Sequence, residues 1–223
     1  MKKKYIYILI LVLSLNSCEF SISTNIPSKT KNVGLRKMPK VKSETFENLY
    51  VADEKLCKEQ KLHLTRFAIE YPNGLEIKKP KNGKEHIGIA KKINGIITEE
   101  LSIGTTSIDL SKEKYALKAL EDIAADFKKQ LPKLEIITIS KKSFNGEMNY
   151  VFEGQFELSG YEDQGYGGNY KMMFLIPIPK KDKNLNSVTI SFIANEQSEI
   201  KEFSDFSNKG MIGSVYKTFR YLE

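Results

Sequence analysis

Two cysteines, two histidines and a scatter of neighbouring carboxylates are the groups in this chain that could do chemistry. Cys18 and Cys57 carry thiols, whose thiolates attack readily where the surroundings favour ionisation. His63 and His86 fall in stretches that read as strands, with no partner at helical i, i+4 spacing and no H-E-x-x-H pattern. The three converging ligands of a zinc enzyme are therefore not spelled out. The two rings could still meet across a sheet with a carboxylate, or be satisfied structural groups. Acidic pairs such as Glu99–Glu100 and Glu121–Asp122 could serve as acid and base, and the plainer reading of both is a solvated face. No G-x-S-x-G elbow occurs. Gly165–Tyr166–Gly167–Gly168 is rich in glycine but lies between expected strands, whereas a phosphate cradle opens a helix. Glu162–Asp163 does not continue into a calcium loop. No catalytic residue, cofactor or metal site follows.

One loop, Ser159 to Tyr170, joins two expected strands with more residues than a tight hairpin needs. Its mixture of Tyr, Gly, Ser and Asn is that of recognition loops, because tyrosine offers wide amphipathic contact area at low entropic cost. Tyr161, Tyr166 and Tyr170 are the candidate partner-binding residues; the alternative is a hairpin tip whose tyrosines rest on the sheet.

The sequence opens Met1–Lys2–Lys3–Lys4, continues through an apolar run from Tyr5 to Leu15, and reaches Leu15–Asn16–Ser17–Cys18. The charged, apolar and small-residue regions are those of an export signal, and the apolar run is about half the ~20 residues a bilayer span requires. Leu15–Asn16–Ser17–Cys18 resembles the lipobox of bacterial lipoproteins. That resemblance implies cleavage before Cys18, a diacylglyceryl group on its sulfur and acylation of its new amino group. Two or three chains hold a protein stably on a membrane, where one holds it only marginally. The expected location is the cell envelope, with the outer membrane favoured and the leaflet open; the alternatives are a plain secretory signal or an uncleaved anchor.

The expected organisation is a signal peptide over 1–17, a lipidated cysteine and flexible basic tether over 18–44, and a single folded domain over 45–223. The tether is inferred from a stretch rich in Ser, Thr, Asn and Lys, interrupted by Pro27, Gly34 and Pro39 and without apolar periodicity. Lys29, Lys31, Arg36, Lys37, Lys40 and Lys42 precede the next acid, Glu44, and would be drawn to anionic lipid. The 223-residue chain has a formal charge of +7, three charges of which leave with the signal. The remaining surplus is dispersed among 28 acidic residues, which describes a solvated surface rather than a nucleic-acid footprint. With Cys18 acylated, Cys57 stands alone, so no intrachain disulfide forms and stability must come from packing.

The elements that position these groups follow from periodicity. Lys61 to Tyr71 places Thr65, Phe67, Ile69 and Tyr71 on one face, a strand that Pro72–Asn73–Gly74 ends. Leu75–Glu76–Ile77 resumes extended chain, and Pro80 to Gly83 turns again. His86 to Ala90 and Ile93 to Ile103 are strands reversed at Asn94–Gly95. Ser111 is placed to cap a helix to Leu131, with Ala116, Leu120, Ile123, Phe127 and Leu131 forming its apolar stripe and Pro132 its stop. Strands follow at Leu134 to Ser140, Met148 to Leu158, Lys171 to Ile178 and Val188 to Ala194, with turns at Asn145–Gly146 and Lys180 to Asn186. Glu199 to Arg220 reads as more helical than extended. Thr45 to Lys58 fits either a helix or a strand.

The order gives an α+β fold, an antiparallel sheet flanked by helices. Phe67–Ala68–Ile69–Glu70–Tyr71–Pro72–Asn73–Gly74–Leu75 resembles the opening strand of the PsbP-like fold, with Leu75 where a tryptophan is usual. The closing strand Ser187 to Phe192 and the helix ending Tyr216–Lys217–Thr218–Phe219–Arg220 are similar as well. The resemblance, which extends to DcrB-like bacterial lipoproteins, implies an α/β/α sandwich used for binding, with no catalytic residues to carry over. The leading expectation is a membrane-anchored, non-enzymatic module that binds another envelope protein. The alternatives are a small-ligand or metal-binding lipoprotein, or a hydrolase whose site sequence does not display.

Overall fold

The computed structural model describes residues 46–78, 83–106, 108, 110, 112–131, 133–178 and 187–222. Cys18, the tether, Pro80 to Asn82 of the turn expected at Pro80 to Gly83, and the turn expected at Lys180 to Asn186 lie outside them, as do Ser111 and Pro132. The strands are β1 Asn48–Ala52, β2 Phe67–Tyr71, β3 Glu76–Lys78, β4 Glu85–Ile93, β5 Ile96–Thr106, β6 Glu135–Phe144, β7 Glu147–Glu157, β8 Asn169–Pro177, β9 Ser187–Asn195 and β10 Arg220–Tyr221, the longest of them where apolar and β-branched residues are frequent. Helices α1 Glu54–Gln60, α2 Glu113–Gln130 and α3 Gly210–Tyr216 interrupt them.

Seven strands make one sheet in the order β3-β4-β5-β9-β8-β7-β6, antiparallel at every pairing. Both Asn-Gly reversals occur where expected: Asn94 and Gly95 have φ of 51° and 82°, Asn145 and Gly146 53° and 79°, and two residues at positive φ suit the twist of the strands they join. Strands β5 and β6 run in the same direction, and α2 supplies the crossover between them.

Successive side chains of the central strands point to opposite faces, and both faces are covered. On one face α2 lays Ala116, Leu120, Ala124 and Phe127 against Tyr150, Phe152, Phe156 and Phe174. Phe127 touches the rings of Phe152 and Phe174 at 5.7 and 6.1 Å. The expected stripe is present, except that Ala124 is buried while Ile123 is only half-buried. On the other face Leu101, Ile103, Met173, Leu175, Ile190 and Phe192 meet Phe206, Met211, Ile212 and Val215 around α3, and Phe67 and Ile69 from β2. Strands β1, β2 and β10 form a separate antiparallel sheet in that second layer. The α+β class is therefore as expected, while the second covering layer is helix and small sheet together.

Local detail departs from expectation in three places. The ladder of β2 starts only at Phe67, so Lys61 to Arg66 leads into the strand without belonging to it. The ambiguous Thr45 to Lys58 stretch divides into β1 and α1, because Asp53 caps the helix by accepting from the Leu56 amide at 2.7 Å. The closing segment divides into a 3-10 turn, Phe203–Ser207, then α3, then β10. Asp205 and Glu202 form a capping box on that turn, and Gly210 at φ 63° begins a new helix rather than continuing one. Helix α2 itself starts from Lys112, which makes no side-chain cap. No helix among the described residues is long and apolar enough to cross a membrane.

Candidate functional site

Consecutive residues in a strand face opposite ways, so Glu99 and Glu100 of β5 enter the two different cores. They are 0% and 1% exposed, which corrects the expectation of a solvated acidic pair. Each survives burial because each is matched by donors. Glu100 receives Lys78 Nζ at 2.9 Å and the Tyr166 hydroxyl at 3.2 Å on Oε2, and the Ser102 hydroxyl at 3.3 Å on Oε1. Lys78 also donates to the Tyr166 oxygen at 3.2 Å and sits 5.6 Å from the centre of its ring. Burial works against the charge on Lys78, but the Glu100 carboxylate outweighs it with help from Tyr166, and the ammonium's pKa is raised. Lys78 therefore keeps its proton and cannot serve as a general base; its chemistry here is charge neutralisation. Glu121 and Asp122 are exposed beside Lys118 at 3.4 and 3.0 Å, the solvated face expected of them.

Glu99 closes the other side. Its Oε2 accepts the Ile212 amide at 3.0 Å, its Oε1 accepts the Ser198 hydroxyl at 3.1 Å, and Lys91 Nζ lies 3.8 Å away. The carboxylate thus occupies the start of α3. A Cβ on Gly210 would lie 2.5 Å from Glu99 Oε2, so glycine is required there by space as well as by its positive φ.

The two histidines come together through a backbone carbonyl and not through a carboxylate. His86, 0% exposed, donates Nε2–H to the His63 carbonyl at 3.2 Å, which leaves Nδ1 to accept from the Tyr50 hydroxyl at 3.4 Å. The Phe67 ring stands edge-on at 5.5 Å. Burial pushes the imidazole's pKa down to about 4, so the ring is neutral and structural at neutral pH. Cys57 is buried, its thiol 3.8 Å from the Thr65 carbonyl. Among the described residues no group of three or more His, Cys, Asp or Glu is placed to hold a metal.

The tyrosines of the Ser159 to Tyr170 loop pack against the α2-side core. Tyr166 and Tyr170 are 7% and 1% exposed. Tyr170 belongs to β8, stacks on Phe156 at 5.5 Å and donates its hydroxyl to the Ile97 carbonyl at 2.8 Å. Tyr161 is half-buried against the α2-side core. Large rings beside an aromatic sheet face gain more from burial there than from solvent. Sequence reading missed Lys78 and Ser102: only the spacing of Glu100 and Ser102 on one strand face hints at their meeting, and nothing local ties either to Lys78 or Tyr166.

A groove of about 720 Å³ crosses one end of the sheet, with Phe156, Tyr170 and Ala194 among its lining residues and lysines 128, 133, 171 and 201 facing it. Glu135, Glu157 and Glu196 share the lining. Lys133 pairs with Glu157 at 2.6 Å and Asn169 donates to Glu196 at 3.0 Å, so the groove is close to charge-balanced.

No protein-family model matches the sequence, and no match is found among curated proteins. Among solved structures the chain is similar to PsbP (CyanoP) from Synechocystis sp. PCC 6803, with 14% identity and a TM-score of 0.45 over 83% of this chain and 99% of that one. It is also similar to LpqN of Mycobacterium tuberculosis, involved in cell envelope biogenesis, with 11% identity and a TM-score of 0.38 over 67% of this chain and 80% of that one. The α+β description rests on the chain's own strands and helices.

Proposed function

We propose that the chain is a cell-envelope lipoprotein, anchored through Cys18, whose folded part is a non-enzymatic binding or assembly module for another envelope protein. The observation that carries the anchor is the order of Lys2–Lys3–Lys4, the apolar run and Leu15–Asn16–Ser17–Cys18. A binding role draws support from the way the buried polar groups are used. Glu99, Glu100, Lys78, His86 and Tyr170 are each engaged by partners from distant parts of the chain, so their polar atoms serve the fold. Apolar side chains that a partner would cover stand outside instead, Leu49, Tyr115, Ile137 and Met148 among them.

Replacing Cys18→Ser tests the anchor: the expected result is loss of incorporated fatty acid together with release or accumulation of uncleaved precursor. Unchanged processing and membrane retention would sink it. Photo-crosslinking residues placed at Leu49, Tyr115, Ile137 and Met148 in the anchored protein test the binding role. One reproducible protein adduct is expected, and no adduct from any of the four positions counts against the module reading.

A further inference from the structure

Strand β6 closes one side of the seven-stranded sheet and pairs there with β7 alone. The two-residue turn Asn145–Gly146 joins these strands, and the residues flanking such a turn, Phe144 and Glu147, exchange their backbone bonds with each other. Alternation then directs the amides and carbonyls of Lys142 and Ser140 toward β7, and those of Ser143, Lys141 and Ile139 outward. Among the described residues no hydrogen bond reaches this outward set. The edge strands β1, β3 and β10 have five, three and two residues against ten in β6, so β6 offers the longest backbone template. Three exposed apolar side chains border it. Ile137, 51% exposed, is the extra residue of a bulge in β6. Met148, 45% exposed, lies opposite Ser143 and shares the α2-side face of Tyr150. Tyr115, 53% exposed, is two residues from Glu113, which binds Lys141 at 2.8 Å.

We propose that β6 receives an added strand: an extended segment of a partner protein pairs along Ile139 to Ser143, with apolar residues over Tyr115 and Met148 and an acidic residue beside Lys141. Strand addition, which rests on the binding-module reading above, gives that reading its surface and its mode. Main-chain bonds supply affinity in this mode, and alternate side chains supply selectivity. The bulge ends regular pairing at Ile137, and lysines along an edge discourage indiscriminate partners. A second copy of this chain is the poorer occupant. Laid antiparallel along Thr138 to Phe144, it sets Lys141 against Lys141 at the two-fold axis, and like charges directly opposite are destabilising. An acidic strand meets the same lysine favourably. The Lys141–Glu113 pair is largely solvent-facing and holds the ammonium only weakly, so a second carboxylate can share it.

Ser143→Pro removes one outward amide and no bond to β7, the kind of edge position that accepts proline, while Ser143→Ala keeps the amide. The full-length chain in its own cells carries a photo-crosslinking residue at Met148 or, separately, at Leu49 in the small sheet. A protein adduct is expected at Met148, retained in Ser143→Ala and reduced about 10-fold in Ser143→Pro. In the purified adduct the amides of Lys141 and Ser143 should exchange at least ~10-fold more slowly than in the free protein. An adduct at Leu49 alone, or one at Met148 that Ser143→Pro leaves intact, overturns strand addition and leaves the binding module standing. No adduct at Leu49, Tyr115, Ile137 or Met148 removes both. An adduct of two copies of this chain assigns the edge to self-association and overturns the partner strand. If Ser143→Pro does not fold, exchange in the wild-type adduct decides: unchanged rates at Lys141 and Ser143 refute the proposal.

Discussion

His86 makes the fold sensitive to acid, and the size of the effect follows from its surroundings. In the unfolded chain the imidazole has an ordinary pKa of 6.5, while in the folded chain burial holds it near about 4. As pH falls the unfolded chain takes up the proton first. The stability linked to this group is therefore complete above pH 6.5, declines as pH drops toward about 4, and reaches its floor below that. The full gap corresponds to ~3 kcal/mol, of which ~2 kcal/mol is already lost at pH 5. No carboxylate hydrogen-bonds the ring: its nitrogens face the His63 carbonyl and the Tyr50 hydroxyl. His86→Gln removes the titration while keeping a donor and an acceptor. Urea unfolding of both proteins at pH 7.5 and 5.0 isolates the effect, since the carboxylates common to both largely cancel. The parent should lose about 2 kcal/mol more than the variant over that interval. Parallel losses within about 0.5 kcal/mol, or an imidazole resonance of His86 titrating above pH 6, would refute the assignment.

Other perturbations have distinct expected sizes. Glu100→Gln leaves the Lys78 ammonium without its carboxylate and should cost about 3–5 kcal/mol in urea unfolding, whereas Lys78→Met combined with Glu100→Leu should recover most of that loss. Gly95→Ala, at φ 82° with nothing within 4 Å of the new methyl, should cost about 1 kcal/mol. Gly210→Ala should cost clearly more, because the methyl also displaces Glu99 from the start of α3. Equal losses at the two glycines would contradict the close approach at Gly210. Leu120→Ala, at the centre of the α2 contact, should lower stability by about 2–5 kcal/mol with no change in the linkage to His86, which lies in the opposite layer.

Much of the sheet was legible because its signals are local. Asn94–Gly95 and Asn145–Gly146 specify their own reversals, and α2 displays its buried stripe within one stretch of sequence. Strand β8 carries a continuous apolar run from Met172 to Pro177, the pattern of a strand covered on both faces. The small second sheet was less legible, since β10 has two residues and exists only through pairing with β2. The polar clusters were hidden for a similar reason. Alternation places Glu99 and Glu100 on opposite faces, but whether either face is wet depends on α3, Lys78 and Tyr166, which arrive from far along the chain. Composition marked the Tyr-rich loop and could not show the direction of its rings, which is decided by the aromatic face of Phe156 and the acceptor at Ile97.

The Thr218 hydroxyl accepts the Glu70 amide at 2.7 Å and lies 3.0 Å from the Glu70 carbonyl. Leu222 donates to the Arg66 carbonyl nearby at 3.1 Å. Strand β2, early in the described chain, is thus completed by residues near its end, a closure whose long loop makes it late in folding. A chain emerging from its N-terminus can pair β1 with β2 early, yet must hold β2 half-made until nearly every other element has appeared. Until β10 arrives, that edge of β2 is an unpaired strand edge of the kind that other chains can pair with.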